Sequence, residues 1–296
     1  MRITRKMMTS RMLTSIASNR ELFAKLQMDI ATTKKMRRPS DDPAAVAQAQ
    51  AIKEVASKND QYLRNMTAMR DSITTAAAAT DTILDQLEKA KSIASQGGTG
   101  TINAEARATL AMQVDQIIDT VIDMGNTNSR GRSLFAGTLT AATPYTRSGD
   151  AITYNGNDKN IELKIGHKTT MAYNKTGNDI FNPPGGVDIF AELVALKQGL
   201  ESDDGTAILN TISTLNSSID QVLGVSSQFG LKQEQLSSTE IILESENLKF
   251  ADTVSKIEDT DMVEALVNSQ ILENAINVGL KTMADVVQTS LLDFVR

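Results

Sequence analysis

From Pro43 to Gln96 the chain contains neither glycine nor a further proline, and one heptad register persists through it. Its a positions are Ile52, Asn59, Met66, Ile73, Thr80, Leu87 and Ala94. Its d positions are Val55, Tyr62, Met69, Ala76, Ile83 and Ala90. Apolar residues at alternating spacings of three and four fall on one stripe of a helix, so the pattern predicts a single long helix with one sticky seam. At 1.5 Å per residue it would run about 80 Å. QGGTGTIN (96–103) then breaks the pattern, with Asn103 placed to cap the next helix. Leu110, Val114, Ile117, Val121 and Met124 step by four and three, predicting a second helix that folds back beside the first.

The texture changes between Gly125 and Gly186, where Pro144, Pro183 and Pro184 and many glycines collect. AITYNG (151–156), NIELKIG (160–166) and KTTMAYN (168–174) alternate like half-buried strands between turn-forming segments. Helical spacing resumes near Asp188. Beyond Gly224 and Gly230 a second uninterrupted window starts at Leu231, with Leu236, Leu243, Phe250 and Ile257 recurring every seven residues. EDTDM (258–262) interrupts that register. After it Val263, Val267, Ile271, Ala275 and Val278 form a new stripe, and the chain closes on Leu291, Leu292 and Phe294. The N-terminal arm has its own stripe: Met12, Ile16, Asn19, Phe23, Leu26 and Ile30.

This order is a mirror. Amphipathic ends flank long heptad helices, which flank a β-rich insertion. The expected fold is mostly α with a small β domain in the middle: an elongated bundle of long antiparallel coiled-coil helices with N- and C-termini paired. Residues 1–40 with 260–296 would make a terminal coiled-coil domain, 41–137 with 190–259 a helical rod, and 138–189 an outer β-rich domain. The terminal stripes bury little by themselves, so the ends are expected to be disordered in a monomer and to fold when neighbouring copies complete the seam. That makes Met12, Ile16, Phe23, Leu26, Ile30, Val263, Val267, Ile271, Ala275, Val278, Leu291, Leu292 and Phe294 the candidate assembly interface.

Candidate chemistry adds little. RRPSDDPAAVAQ (37–48) sets Asp41 and Asp42 side by side between two of the five prolines. Catalytic carboxylates face each other across a cleft, whereas sequence neighbours point apart. Ser40, Asp41 or Asp42 each offers an oxygen to the open N–H groups of a first helical turn, and Pro43 suits that turn. The segment reads as a helix cap. With no cysteine there is no disulfide, thiolate metal site or cysteine nucleophile, and the single His167 lies in a predicted turn. No catalytic, cofactor or metal site is expected.

Charge sharpens the picture only at the start. Residues 1–38 hold ten Lys/Arg against Glu21 and Asp29, within a chain of net charge −6. No stacking aromatics or base-reading motif accompany that basic arm, so no nucleic-acid partner is expected. MRITRKMMTSRML is charged from its second residue, unlike a cleavable signal peptide. No run approaches the ~18 apolar residues of a membrane span, so no membrane insertion is expected.

Six segments in order carry a family resemblance: MRIT with Met7-Met8, RRPSDDPAA (37–45), GRSLFAG (131–137), PYTRSGDAITYNG (144–156), SSQFGLKQEQL (226–236) and SLLDFVR (290–296). The sequence resembles the flagellin superfamily, and within it the hook-associated protein 3 group of the hook–filament junction. Lys34-Lys35 departs from the Thr-Gly common just before the acidic segment. The resemblance implies terminal helices forming an inner coiled-coil layer around a secretion channel, with the β insertion facing outward. It also implies a homo-oligomeric ring joining a neighbouring hook-associated protein to flagellin. Export would use the flagellar type III route to an extracellular place on the bacterial flagellum, with an export chaperone on the C-terminal helix.

Overall fold

The structure, a computed structural model, describes residues 5–100 and 102–294, with side chains described for 7–100 and 102–285. Seven helices are present in this span: α1 (Arg5–Thr32), α2 (Pro43–Gly97), α3 (Ala104–Gly125), α4 (Gly177–Phe181), α5 (Ile189–Glu201), α6 (Gly205–Glu258) and α7 (Met262–Phe294). Helices make up most of the described residues, so the mostly-α expectation holds. The chain divides into two compact units, residues 58–245 and residues 1–57 with 246–296.

In the unit of residues 58–245 the α2 seam is buried as its period demands. Met66, Met69, Ile73, Ile83, Leu87 and Ala94 are fully enclosed, with Asn59 and Thr80 buried in the same register. Thr80 satisfies its hydroxyl by donating to the Ala76 and Ala77 carbonyls of its own helix. α6 lies antiparallel to α2: Arg70 pairs with Glu240, Gln233 donates to Thr74, and Ser226 donates to Asp81. α3 packs along α5 and buries Leu110, Val114, Ile117 and Val121, with Met124 half-buried. At the α2–α3 turn, Arg107 is buried and donates to the carbonyls of Gly97 and Thr99, fastening a helix end whose last carbonyls would otherwise be open.

Two features differ from the sequence expectation. First, α6 begins at Gly205 and runs straight through Gly224 and Gly230. Each glycine costs a helix roughly 0.5–1 kcal/mol relative to alanine. Ile208, Thr211, Leu215, Ser218, Val222, Val225, Phe229 and Leu236 continue one buried stripe across both, and that burial outweighs the propensity. Second, the β region is three separate two-stranded hairpins. β3 (Tyr145–Ser148) pairs with β4 (Ala151–Tyr154), and β5 (Glu162–Lys164) with β6 (Thr170–Ala172). A short pair, β1 (Asn128–Ser129) with β2 (Arg132–Ser133), turns on Arg130 and Gly131, both at positive φ. The three predicted strands are present but shorter, as β4, β5 and β6, while β1, β2 and β3 were not read from the sequence.

The hairpins are fastened to the helices through the residues that carried the family resemblance. Arg147 pairs with Asp115 and Asp119 of α3, and Lys197 of α5 bridges Asp115 to Asp150 in the β3–β4 turn. Tyr145, opposite Tyr154 across the hairpin, packs its ring 5.0 Å from both Phe181 and Phe190, which stack at 4.8 Å. A Cβ on Gly125 would come 2.9 Å from that Tyr145 ring, so glycine is needed there for close approach. The Tyr154 hydroxyl donates to the Phe135 carbonyl, tying in GRSLFAG.

Candidate assembly surface

The start of each helix fixes where its faces point. Asp42 Oδ1 accepts from the N–H groups of Ala44 and Ala45, capping α2 at 3.1 and 3.0 Å. Asp41 faces the other way: its Oδ2 accepts from the backbone N–H groups of Arg38 and Arg37, and those bonds hold its carboxyl below its ordinary range. The two adjacent carboxylates therefore do separate backbone jobs, one closing the linker and one opening the helix. Ser40 lies exposed in the turn that precedes them, and Pro43 is the first residue of α2. Asp261 repeats the device at α7, accepting from Val263 and Glu264.

α1 and α7 run antiparallel against each other. Thr260 N–H donates to the Thr33 carbonyl at one end, and Gly279 packs on Ile16 further along, where a Cβ would stand 3.2 Å from Ile16 Cγ1. On α1, Ile16 is buried and Met12, Phe23, Leu26 and Ile30 are half-buried on the same face. On α7 the covered positions are Ala265, Ser269, Leu272, Ile276, Gly279 and Met283, again spaced four and three.

The five α7 residues of the candidate assembly interface lie off this covered stripe. Val263 is 74% exposed, Ile271 58% and Val278 65%, and Val267 and Ala275 are exposed too. They sit one or two residues off the covered stripe, a turn of about 100–200° around the helix. Leu291, Leu292 and Phe294 fall in the last turns of α7, where side chains lie outside the described residues. α7 thus carries two apolar faces, of which α1 covers one. α1 also leaves Met8, Leu13, Leu22 and Met28 exposed. A contiguous apolar stripe left open on a helix surface marks a place where another molecule can pack. What the sequence did not distinguish is which stripe stays inside the chain, since the covered one mixes Leu272, Ile276 and Met283 with the small Ala265, Ser269 and Gly279 and reads more weakly.

Val55, the first d position of the long register, is exposed, unlike its successors. His167 is exposed in the β5–β6 turn. Among the described residues no group of three or more His, Asp or Glu is placed to hold a metal, and no helix is long and apolar enough to cross a membrane. A hollow of about 480 Å³ lies over the aromatic cluster. Its carboxylates are committed to structure. Asp150 accepts from Lys197 and Gln198, and Asp188 caps α5 by accepting from Ala191.

Such a chain defines a class: an α-helical assembly subunit whose terminal pair presents an uncovered apolar face. The particular likeness is specific. Residues 3–140 match the family described as the bacterial flagellin N-terminal helical region. The chain is 25% identical to flagellar hook-associated protein 3 of Salmonella typhimurium, across 100% of both chains. A solved flagellar hook-associated protein from Vibrio parahaemolyticus superposes with a TM-score of 0.69 at 19% identity, over 74% of this chain and 100% of that one. The flagellar junction protein FlgL from Legionella pneumophila shares the fold, with a TM-score of 0.60 at 15% identity over 72% of this chain and 100% of its own. Over its whole length the chain is thus similar to the hook-associated protein 3 proteins, and over residues 3–140 to the bacterial flagellin N-terminal helical region.

Proposed function

We propose that this protein is a non-enzymatic structural subunit of the bacterial flagellum that joins the hook-associated proteins to the flagellin filament. The observation that carries the reading is the second, uncovered apolar face of α7 in a chain that aligns end to end with hook-associated protein 3. Each Val, Ile or Leu of that face is worth about 1.5–3 kcal/mol once fully buried. Several together offset the roughly 4–15 kcal/mol that association costs. The mating surface is Val263, Val267, Ile271, Ala275 and Val278, continued by Leu291, Leu292 and Phe294, with the exposed methionines and leucines of α1 beside it.

Copies related head to tail would close into a ring, as heterologous contacts do when the rotation closes. The same face is one that an export chaperone would cover on the C-terminal helix, and one that neighbouring copies would complete. Export through the flagellar type III apparatus belongs to this proposal. A flagellin is the rival reading, and it shares the matched N-terminal region.

Deleting the gene separates the two. Hooks without filaments, with unpolymerised flagellin in the medium, are expected for a junction protein. Absent filaments with no flagellin anywhere would identify a filament subunit instead, and normal filaments would reject both.

A further inference from the structure

The two breaks in the helical pattern, one between α1 and α2 and one between α6 and α7, meet in space. Lys35 N–H donates to the Glu258 carbonyl at 2.8 Å, and Thr260 N–H donates to the Thr33 carbonyl at 2.9 Å. These two bonds flank a one-residue antiparallel bridge, Lys34 opposite Asp259. Charge fastens it. Lys34 Nζ lies 2.5 Å from Asp259 Oδ1 and 3.3 Å from Glu258 Oε2, while the other Glu258 oxygen takes Lys53 of α2. Lys35 Nζ donates to the Lys256 carbonyl, and Arg37 reaches back to Asp29 of α1. Thr33 supports the geometry from a left-handed φ of 58°, a cost for a residue with a Cβ that a free linker would have no reason to accept.

We infer that residues 33–35 and 258–260 form a charge-fastened clamp that sets α1 in register against α7, so that the terminal pair orders from this joint outward. α1 and α7 come from opposite ends of the sequence, so bringing them together carries a loop-closure cost before any turn of one meets the other. The clamp meets that cost at the turn where both helices begin to pair. Each further turn then needs only local ordering, the propagation step of a cooperative helix. The clamp also draws the basic linker, with Lys34, Lys35, Arg37 and Arg38, out of the extended open form that a protease requires. Because Lys34 and Asp259 both remain partly solvated, the fastening is sensitive to salt.

Limited trypsin digestion of the full-length monomer tests this, with fragments identified by mass. Glu258→Gln with Asp259→Asn keeps every tryptic site and nearly the same shape. It should raise the cleavage rate within residues 34–38 about tenfold, since cleavage tracks the open population. Raising the salt should speed the parent chain and leave the variant unchanged. The buried Arg107 must stay uncut in both, which shows that the residue 58–245 unit is intact. A second variant, Lys34→Cys with Asp259→Cys, uses the absence of native cysteine and the close spacing of a pair flanked by its two backbone bonds. When oxidised it should slow cleavage further out, at Lys25 and Lys281, because order spreads from the joint. Cleavage of the linker at the parent rate in the charge variant overturns the clamp. Cleavage at Lys25 and Lys281 that ignores the cross-link overturns the outward ordering.

Discussion

The seam of α2 and the stripe of α7 are written in the same code, apolar residues three and four apart, yet they end in opposite surroundings. Met66, Ile73 and Leu87 are wholly enclosed, whereas Val263, Ile271 and Val278 are among the most exposed apolar residues of the chain. Period alone states that a helix needs a partner. It is silent on whether that partner belongs to the same chain. Within residues 58–245 α2 finds α6, while α7 finds α1 on one face and leaves a second apolar face open.

The sharpest way to break the comparison is to cut into each stripe. Phe229→Ala, inside the α6 seam, removes a fully buried ring and should destabilise the residue 58–245 unit by about 3–5 kcal/mol, read by denaturant unfolding. Ile271→Asp should do the reverse: unfolding of the monomer should move by less than about 0.5 kcal/mol, while filament-bearing flagella disappear on micrographs. Phe23→Asp should cost both, because that ring is half-buried on the α1 face that carries Ile16 and also belongs to the end proposed to assemble. A monomer destabilised as strongly by Ile271→Asp as by Phe229→Ala would erase the distinction.

A milder probe is pH, which acts on the joint of the terminal pair and leaves the apolar seams alone. Asp259 is held below its ordinary 3.8 mainly by Lys34, then by Ser255, and Glu258 below 4.5 mainly by Lys53, then by Lys34. Depressed carboxylates stabilise above their unfolded values and lose that contribution as pH falls through the folded ones. Lys34 is raised above 10.5, chiefly by Asp259, so its contribution is complete below 10.5 and is lost only as pH rises past the raised value. Amide protection of Lys35 and Thr260 should therefore hold from about pH 5 to 10 and fail in acid before the core unfolds. The smallest effect is expected at Gly224 and Gly230, which open onto space. Alanine at either should add about 0.5–1 kcal/mol to thermal or denaturant stability.

How far the sequence could be read depends on the range of the interactions involved. The α2 register from Asn59 to Ala94 and the α3 stripe were legible because each is one helix meeting its period many times over. The cap at Asp42 was legible as a cap, but the division of labour with Asp41 was not, since it depends on a turn formed by Arg37 and Arg38. α6 was read short because two glycines suggest a break when the buried stripe of Leu215, Val222 and Phe229 is not yet known. The hairpin strands β1 and β2 hold two residues each, too few to show alternation, and β3 (YTRS) has a single apolar position. The covered stripe of α7 alternates Leu272, Ile276 and Met283 with Ala265, Ser269 and Gly279, small residues that allow close approach and dilute the hydrophobic signal. Nothing local announces that Lys34 will lie against Asp259.

Asp42, Asn103, Thr176, Asp188, Asp204 and Asp261 all accept from N–H groups only two or three residues further on. Instructions written over so few residues survive any straightening of the chain. A thread drawn through a narrow passage and released at its far end would still know where each of these helices begins. Folding on arrival could then start at several points at once, leaving only the long-range closures to be found.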